Sequence, residues 1–598
     1  MGARETALRV LMSCRNNHAW ADAALKAQLG RDGLVGPEAA LCSRLVYGVV
    51  QNQQLLDFYL SAYCSQKPDH LQPPLLEILR LGAYQILYLD RVPDSAAVNT
   101  SVELAKISGR GQASGLVNAV LRKIAQNKTA LPPIPERDEA KYLSIRYSHP
   151  KWLVKRLLSI LGREETEAFV AANNDTPPLT VQVNPLKTNA GSLIKELEGW
   201  GVKATPHPWV PGCLELTGAG DLTTLAPFRE GKLLVQDPAA RLVSLIAGVQ
   251  PRQKVLDLCA APGGKSTQIA DALEGRGLLV SNEPVPSRAK ILSRNLERMG
   301  VTNGLVVSAE PEQLAPRWAG FFDAILVDAP CSGEGMFRRH PETRAEWTEQ
   351  SPAGCAARQK RILNSAWAML RPGGRLVYST CTLNTEENEG VINWMQQAVS
   401  DCETAAFTLP AGEGAELDAP GGTLHLYPHR VKGEGHFVAL LRKCGDEPPA
   451  SALAPGDALA KPDKPLLQAY EAFAKAVGAA LPAANARLGD ALLSAPELPP
   501  LQGVRVLRAG VQLGALKGKV FQPDHALALA MSPTAGFPSF SVSPAEARAY
   551  LRGEVLPCPD SFSGFYLVCY ESLPLGFAKA SNGQLKNHYP KGLRQQQG

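Results

Sequence analysis

Val255-Leu-Asp-Leu-Cys-Ala-Ala-Pro-Gly-Gly-Lys-Ser-Thr267 is the stretch from which the organisation of this chain follows. Val255 to Leu258 predict a short buried strand, a loop of small residues comes next, and a helix begins near Ser266. Only small side chains let a backbone approach a ligand closely. The amides of such a loop, backed by a helix N-terminus, face an anion or polar group above the strand end. The spacing is neither G-x-G-x-x-G nor G-x-x-x-x-G-K-[ST], which argues against a dinucleotide and against a nucleoside triphosphate. What remains is a ligand loop at the carboxyl end of the first strand of an open parallel sheet.

Outward from this loop, strands at 254–258, 277–282, 304–307, 323–327 and 375–380 alternate with helices at 266–273, 286–299 and 356–371. That rhythm predicts a Rossmann-like, doubly wound α/β core. Residues 423 to 443 supply its closing strands, and Leu233 to Val243 lead into it. Two strands run into cysteines: Phe322-Asp-Ala-Ile-Leu-Val-Asp-Ala-Pro-Cys-Ser-Gly-Glu334 and Gly374-Arg-Leu-Val-Tyr-Ser-Thr-Cys-Thr382. Cys331 and Cys381 therefore share a rim with the glycine loop, and Asp328 stands beside them.

Leu258-Cys-Ala-Ala-Pro-Gly-Gly-Lys265, Asp328-Ala-Pro-Cys-Ser-Gly333 and Tyr378-Ser-Thr-Cys-Thr382, in this order, closely resemble the Sun (Nop/Sun) family of RNA 5-methylcytosine methyltransferases. The resemblance covers roughly 130–445 and implies S-adenosylmethionine as cofactor. It implies Cys381 as the nucleophile that adds to C6 of a cytosine, making C5 electron-rich enough to take a methyl group. It further implies Asp328 opposite N3 and N4 of the base, Lys265 beside the thiols, and Cys331 in the release step, when a base removes the C5 proton. DNA enzymes with this chemistry use the Pro-Cys cysteine as nucleophile, so the choice between thiols defines the RNA reading. For the cofactor, the resemblance places Cys259, Ala260, Ala261, Pro262, Gly263, Gly264 and Lys265 around the methionine part, with Asp328 adjoining. Glu283 would accept from the ribose hydroxyls, with Arg288 on the next helix. Near the adenine, Ser308-Ala309-Glu310 departs from the family pattern and leaves Glu310 as the candidate. The target base must leave its stack to reach such a site. The implied substrate is small-subunit (16S) ribosomal RNA; the same reaction on transfer RNA, and a non-catalytic RNA-binding assembly factor, are the alternatives.

The flanks carry resemblances of their own. Residues 1–130 show apolar residues at helical spacing, as in Leu75, Leu76, Leu79, Leu81, Ile86 and Leu87. Pro73-Pro74 starts one helix, and Asp94 or Ser95 is the expected cap of the next. Leu79-Arg-Leu-Gly-Ala-Tyr-Gln-Ile-Leu-Tyr88 and Val117-Asn-Ala-Val-Leu-Arg-Lys123 resemble the NusB-like RNA-binding domain of the RsmB branch, which predicts Arg80, Arg122 and Lys123 on an exposed face. Residues 131–228 are read as a linker and a small α/β unit resembling an RNA-recognition motif, and 229–445 as the methyltransferase domain. Residues 446–465, rich in Pro, Ala, Asp and Ser, are read as a flexible linker. Residues 466–598 begin with a helix (466–477), turn β-rich, and resemble the PUA-like tail of the RsmF branch. The closing Lys586-Asn-His-Tyr-Pro-Lys-Gly-Leu-Arg594 reads equally as a solvated tail or as a surface for phosphates and stacked bases.

At 598 residues the chain exceeds one hydrophobic core and predicts about three or four domains. A net charge of +5 is compatible with a nucleic-acid partner. Twelve cysteines without a C-x-x-C pair or a Cys/His cluster predict neither a disulfide framework nor a zinc site, and they predict a reducing compartment. With no membrane-length apolar run and no signal-peptide layout, the expectation is a cytoplasmic protein without metal. Its oligomeric state is left open, with a monomer as the working expectation.

Overall fold

The computed structural model describes residues 2–17, 21–175, 177–339, 347–412, 415–445, 459–531, 536–570 and 573–594. Most of the linker read at 446–465, from 446 to 458, lies outside the described residues. The chain divides into two compact units: Met1–Pro177 with Glu334–Glu349 and Tyr427–Arg430, and the remainder from Pro178 onward.

The first unit is helical. Ala3–Asn17, Ala21–Asp32, Gly36–Gln51, Gln53–Tyr63, Pro73–Tyr88, Asp94–Ile107 and Ser114–Gln126 close around one apolar core. Pro73–Tyr88 runs through its centre and buries Leu75, Leu76, Leu79, Leu81 and Ile86, because apolar residues cover nearly every side of this helix. Asp94 lies inside the first turn of its helix, whose N-cap is Pro93. The reading of Arg80 is corrected: it is 5% exposed, with its guanidinium bonded to Asp57 and Glu77, both at 2.7 Å. A buried cation survives only with such partners. Arg122 and Lys123 are exposed as expected. Within the same unit, Trp152 stacks on Trp347 with ring centroids 3.6 Å apart, and His429 bonds Glu165 at 2.8 Å.

The second unit starts with a four-stranded antiparallel sheet in the order Lys203–Pro206, Cys213–Thr217, Leu179–Val183, Leu233–Val235. Helix Ala190–Gly199 contributes Leu193 and Leu197 to its core. Among the described residues, nine strands then form the central sheet. They are β1 (Lys254–Asp257), β2 (Leu278–Asn282), β3 (Gly304–Ser308), β4 (Phe322–Asp328), β5 (Leu370–Thr380), β6 (Cys402–Thr404), β7 (Thr423–Leu426), β8 (His436–Lys443) and β9 (Arg505–Ala509). The order is β6-β8-β5-β4-β1-β2-β3-β9, with β7 paired to β8. Strands β1 to β5 are parallel and nearly continuously buried, since helices α1 (Gly264–Leu273), α2 (Pro286–Arg298) and α3 (Ser351–Met369) follow them as crossovers.

The order reverses at β1, which has β2 on one side and β4 on the other. The loops leaving β1 and β4 therefore diverge to opposite faces and open a crevice at the carboxyl edge. Strand β9 differs from the sequence reading, which placed it in the β-rich tail. It pairs antiparallel with β3 and closes an edge that would otherwise expose unpaired backbone groups. Beyond it lie a four-stranded sheet built from 486–523 and a five-stranded sheet built from 539–587. Gln584–Asn587 is a strand of the latter and Tyr589 packs on Tyr550, so the front of the basic run is held by the fold.

Candidate active site

The loop after β1 is held from below and from the side. Ser266 donates to Asp257 Oδ2 at 2.7 Å and lies 2.8 Å from Ser281 Oγ, which fixes the start of α1 beneath the strand end. Burial pushes the Asp257 carboxyl up to about 7. Asn282 Nδ2 donates to the carbonyl of Leu258, the Ala260 amide donates to the Asn282 carbonyl, and α2 takes the other loop carbonyls through Arg288 to Ala261 and Asn295 to Pro262. Gly263 adopts φ +114°, and a Cβ there would stand 3.1 Å from Leu292 Cδ1, so glycine is required for both conformation and space.

At the end of β2, Glu283 is 3% exposed. One of its oxygens accepts from the Val285 amide at 3.0 Å and the other pairs with Arg288 at 3.2 Å. Glu310 is exposed and stands at the N-cap of the short helix Pro311–Leu314.

On the other side of the crevice, Asp328 ends β4 in register with Ser379 of β5. Ser379 donates to Asp328 Oδ1 at 2.7 Å, and Lys265 Nζ donates to Oδ2 at 2.7 Å. Burial alone would raise the Asp328 carboxyl, but the Lys265 ammonium, helped by the Ser379 hydroxyl, outweighs it and holds the group below its ordinary value. Burial likewise opposes the Lys265 charge, and Asp328 restores it and carries the ammonium above its ordinary value. The pair is thus a fixed dipole lining the crevice.

Cys331, after β4, and Cys381, after β5, bring their sulfurs to 3.3 Å. The contact to Cys381, and burial after it, push the Cys331 thiol well up, and either sulfur can donate across the contact. Burial pushes the Cys259 thiol up as well. All four residues singled out for chemistry, Lys265, Asp328, Cys331 and Cys381, therefore meet at one place, and Glu283 and Arg288 meet at the neighbouring strand end.

Three further residues belong here that the sequence did not reveal. Ser379 orients Asp328. Glu387 is fully buried and ties the two cysteine loops together. His436 begins β8 one residue before Phe437, which pairs with Thr380, so its backbone lies beside Cys381. Burial and then the Lys265 ammonium lower its imidazole, and among the described residues its Nδ1 has no hydrogen-bond partner. A histidine next to Phe437 looks in sequence like any strand residue; only the pairing of β8 with β5 brings it to the thiols.

Among the described residues no cluster of His, Cys, Asp and Glu could hold a metal ion, and no helix is long and apolar enough to cross a membrane.

Comparison with known proteins shows the family. Residues 245–442 match the model of the 16S rRNA methyltransferase RsmB/F family, and residues 149–223 that of its ferredoxin-like domain. The NusB family model matches 1–126, the first C-terminal domain of the RsmF rRNA methyltransferase matches 472–531, and the RsmF PUA domain matches 537–595. A Synechocystis protein carrying the name probable ribosomal RNA small subunit methyltransferase B is 34% identical, over 74% of this chain and all of its own length. Ribosomal RNA small subunit methyltransferase F of Erwinia tasmaniensis is 34% identical over 75% of this chain and 97% of its own. The crystal structure of PH0851 superposes with a TM-score of 0.60 at 27% identity, covering 74% of this chain and 99% of that one. With its thiols, carboxylate and glycine loop on one rim of such a sheet, the chain belongs to the RsmB/F family of ribosomal RNA small-subunit methyltransferases.

Proposed function

We propose that this protein methylates C5 of a cytosine in small-subunit ribosomal RNA, with S-adenosylmethionine as donor and Cys381 as covalent nucleophile. The observation that carries the reading is the 3.3 Å approach of Cys331 and Cys381 beside the Lys265–Asp328 pair. A structural role does not call for two thiols and an ion pair together on a ligand rim.

The residues fit the donor. Glu283 offers a buried carboxylate, the group a ribose diol binds, and the small residues among Cys259 to Gly264 let the backbone come close to the methionine part. When bound, S-adenosylmethionine supplies an electrophilic methyl group. The chain's own residues do the rest. Cys381, as thiolate, forms a bond to C6, and the charge moves into the ring toward N3. Asp328 faces N3 and N4 there, accepts from the N4 amine and from N3 once it is protonated, and repels the O4 of a uracil. Cys331 keeps its proton while Cys381 is an anion 3.3 Å away. Adduct formation removes that anion, so Cys331 can release its proton through water to N3 and then take the one on C5; the N3 proton returns to solvent when the ring regains its aromatic form. Loss of the C5 proton breaks the C6–S bond and returns Cys381 as thiolate. The helical and C-terminal modules hold the RNA through its phosphates while the crevice handles one base.

Cys381→Ala is expected to abolish methylation while RNA binding persists. Cys331→Ala is expected to accumulate a covalent RNA–protein adduct, seen as a retarded band on a denaturing gel. Normal methylation by Cys381→Ala would overturn the nucleophile. Methylation of purified transfer RNA in preference to small-subunit RNA would overturn the substrate.

A further inference from the structure

Glu387 lies in Thr385-Glu-Glu-Asn-Glu389, where nothing in the sequence distinguishes it from its acidic neighbours. In the fold Glu386 is exposed, whereas Glu387 is fully buried. A carboxylate in such a place must find cations or many donors, because an unpartnered buried charge costs several kcal/mol or more (~5). Among the described residues no cation lies within ion-pair distance of Glu387, and its partners are neutral donors from both cysteine loops. The Ser332 amide reaches Oε2 at 3.0 Å and the Ser332 hydroxyl donates to Oε1. Asn384 Nδ2 donates to Oε1 at 2.7 Å and Gln359 Nε2, from α3, donates to Oε2 at 2.8 Å.

These donors are not spread at random. Ser332 follows Cys331 directly, and Asn384 lies shortly after Cys381. Ser332 Oγ is also 2.9 Å from Thr382 Oγ1, and Asn384 Nδ2 is 2.9 Å from the same atom. Gln359 Nε2 reaches the carbonyl of Pro330, immediately before Cys331, at 3.1 Å. The Glu387 backbone is itself fixed, since Tyr378 of β5 donates its hydroxyl to the Glu387 carbonyl at 2.7 Å. One carboxylate thus clamps the residues on either side of Cys331 to the loop that carries Cys381.

We infer that Glu387 is the positioning residue that holds Cys331 at its 3.3 Å distance from Cys381, and that it thereby governs release of the methylated base rather than attack on it. The inference rests on the covalent reading above. Attack depends on Cys381, whose strand is fixed by β4 and β8 through the sheet, whereas Cys331 sits in the loop after β4, beyond the strand pairing. Beyond the Ala329 amide, which donates to the Ser379 carbonyl at 2.8 Å, Glu387 and its donors fasten that loop. A glutamine in its stead would set an amide NH2 against the Ser332 amide or the Gln359 NH2, donor against donor, and the Cys331 loop would swing free. A misplacement of about 1 Å at a reacting group lowers rate by about a hundredfold.

The test uses the full-length protein with small-subunit ribosomal RNA and S-adenosylmethionine, comparing wild type, Cys331→Ala, Glu387→Gln and Ser332→Ala. Glu387→Gln is expected to bind S-adenosylmethionine within about threefold of wild type, to form the adduct in a single turnover at near-normal rate, and to release product about a hundredfold more slowly. It then shows the retarded band that Cys331→Ala shows. Ser332→Ala, which removes only the hydroxyl, is expected to show the same band with a release defect of about tenfold. Turnover by Glu387→Gln within threefold of wild type would overturn the inference, as would loss of donor binding and adduct formation together. Should Glu387→Gln fail to fold, Ser332→Ala decides: a band supports the clamp and normal turnover refutes it. Absence of a band from Cys331→Ala would instead sink the covalent reading itself.

Discussion

Asp328→Asn removes a charge and leaves a shape, which makes it the sharpest probe of the crevice. Lys265 Nζ has donors only, so the asparagine oxygen turns to it and the new NH2 group faces Ser379. The Ser379 hydroxyl, now 2.7 Å from Oδ1, can rotate and accept, so both contacts persist and the loop stays in place. What disappears is the anionic acceptor proposed for the N4 amine and the protonated N3 of the base. Removing one preorganised electrostatic partner of a transition state lowers kcat by about 10²–10³, or about 2.7–4 kcal/mol. The Asp328 side chain is 33% exposed, so water screens part of the effect, and the lower end applies. The expectation is a fall of about a hundredfold in single-turnover methylation of small-subunit RNA, read by transfer of labelled methyl groups. Cytosine should also lose its advantage over uracil at the target position. A rate within threefold of wild type, with the RNA still bound, would refute the role given to the carboxylate.

Other consequences follow from the same geometry. Arg80→Ala should destabilise the helical unit by about 3 kcal/mol, because Glu77 is left buried with only the longer 3.4 Å contact to Arg15, while Arg122→Ala should leave stability within about 0.5 kcal/mol and weaken RNA binding; thermal unfolding and filter binding separate the two. Gly263→Ala should raise the KM for S-adenosylmethionine about tenfold with a smaller change in kcat, since a methyl group 3.1 Å from Leu292 at φ +114° displaces the loop; an unchanged KM would argue that the loop does not hold the donor. Burial, with Arg298 nearby, lowers Lys187 to about 8, so the unfolded chain binds more protons above that pH and the folded state gains stability up to the ordinary lysine value of about 10.4. Urea unfolding should show this rise in wild type and not in Lys187→Met.

The sequence exposes those parts of the fold whose signals are local. Each parallel strand is an apolar run bounded by Gly, Pro or Asp, and the expected bounds of β1 to β4 fall within a residue or two of the observed ones. The meeting of Asp328, Cys331 and Cys381 was legible because each sits at or just past a strand end, and that of Lys265 because it opens the helix after the β1 loop. Arg80 was misread because the partner that draws it inside, Asp57, lies on another helix, 23 residues away. Glu387 and His436 stayed silent for the same reason: two of the donors to Glu387, Ser332 and Gln359, come from positions 55 and 28 residues distant, and His436 reaches the thiols only through β8. Strand β9 looks like any strand of a β-rich tail, and its pairing with β3 is set by an edge that no local pattern announces.

The central claim is that Cys381, not Cys331, bonds the base. The most direct measurement traps the adduct with small-subunit RNA carrying 5-fluorocytosine, whose fluorine cannot leave as the proton does, and maps the modified peptide by mass spectrometry. A nucleotide on the peptide containing Cys381 is the expected result. A nucleotide on the peptide containing Cys331, or no covalent product at all, would contradict the account.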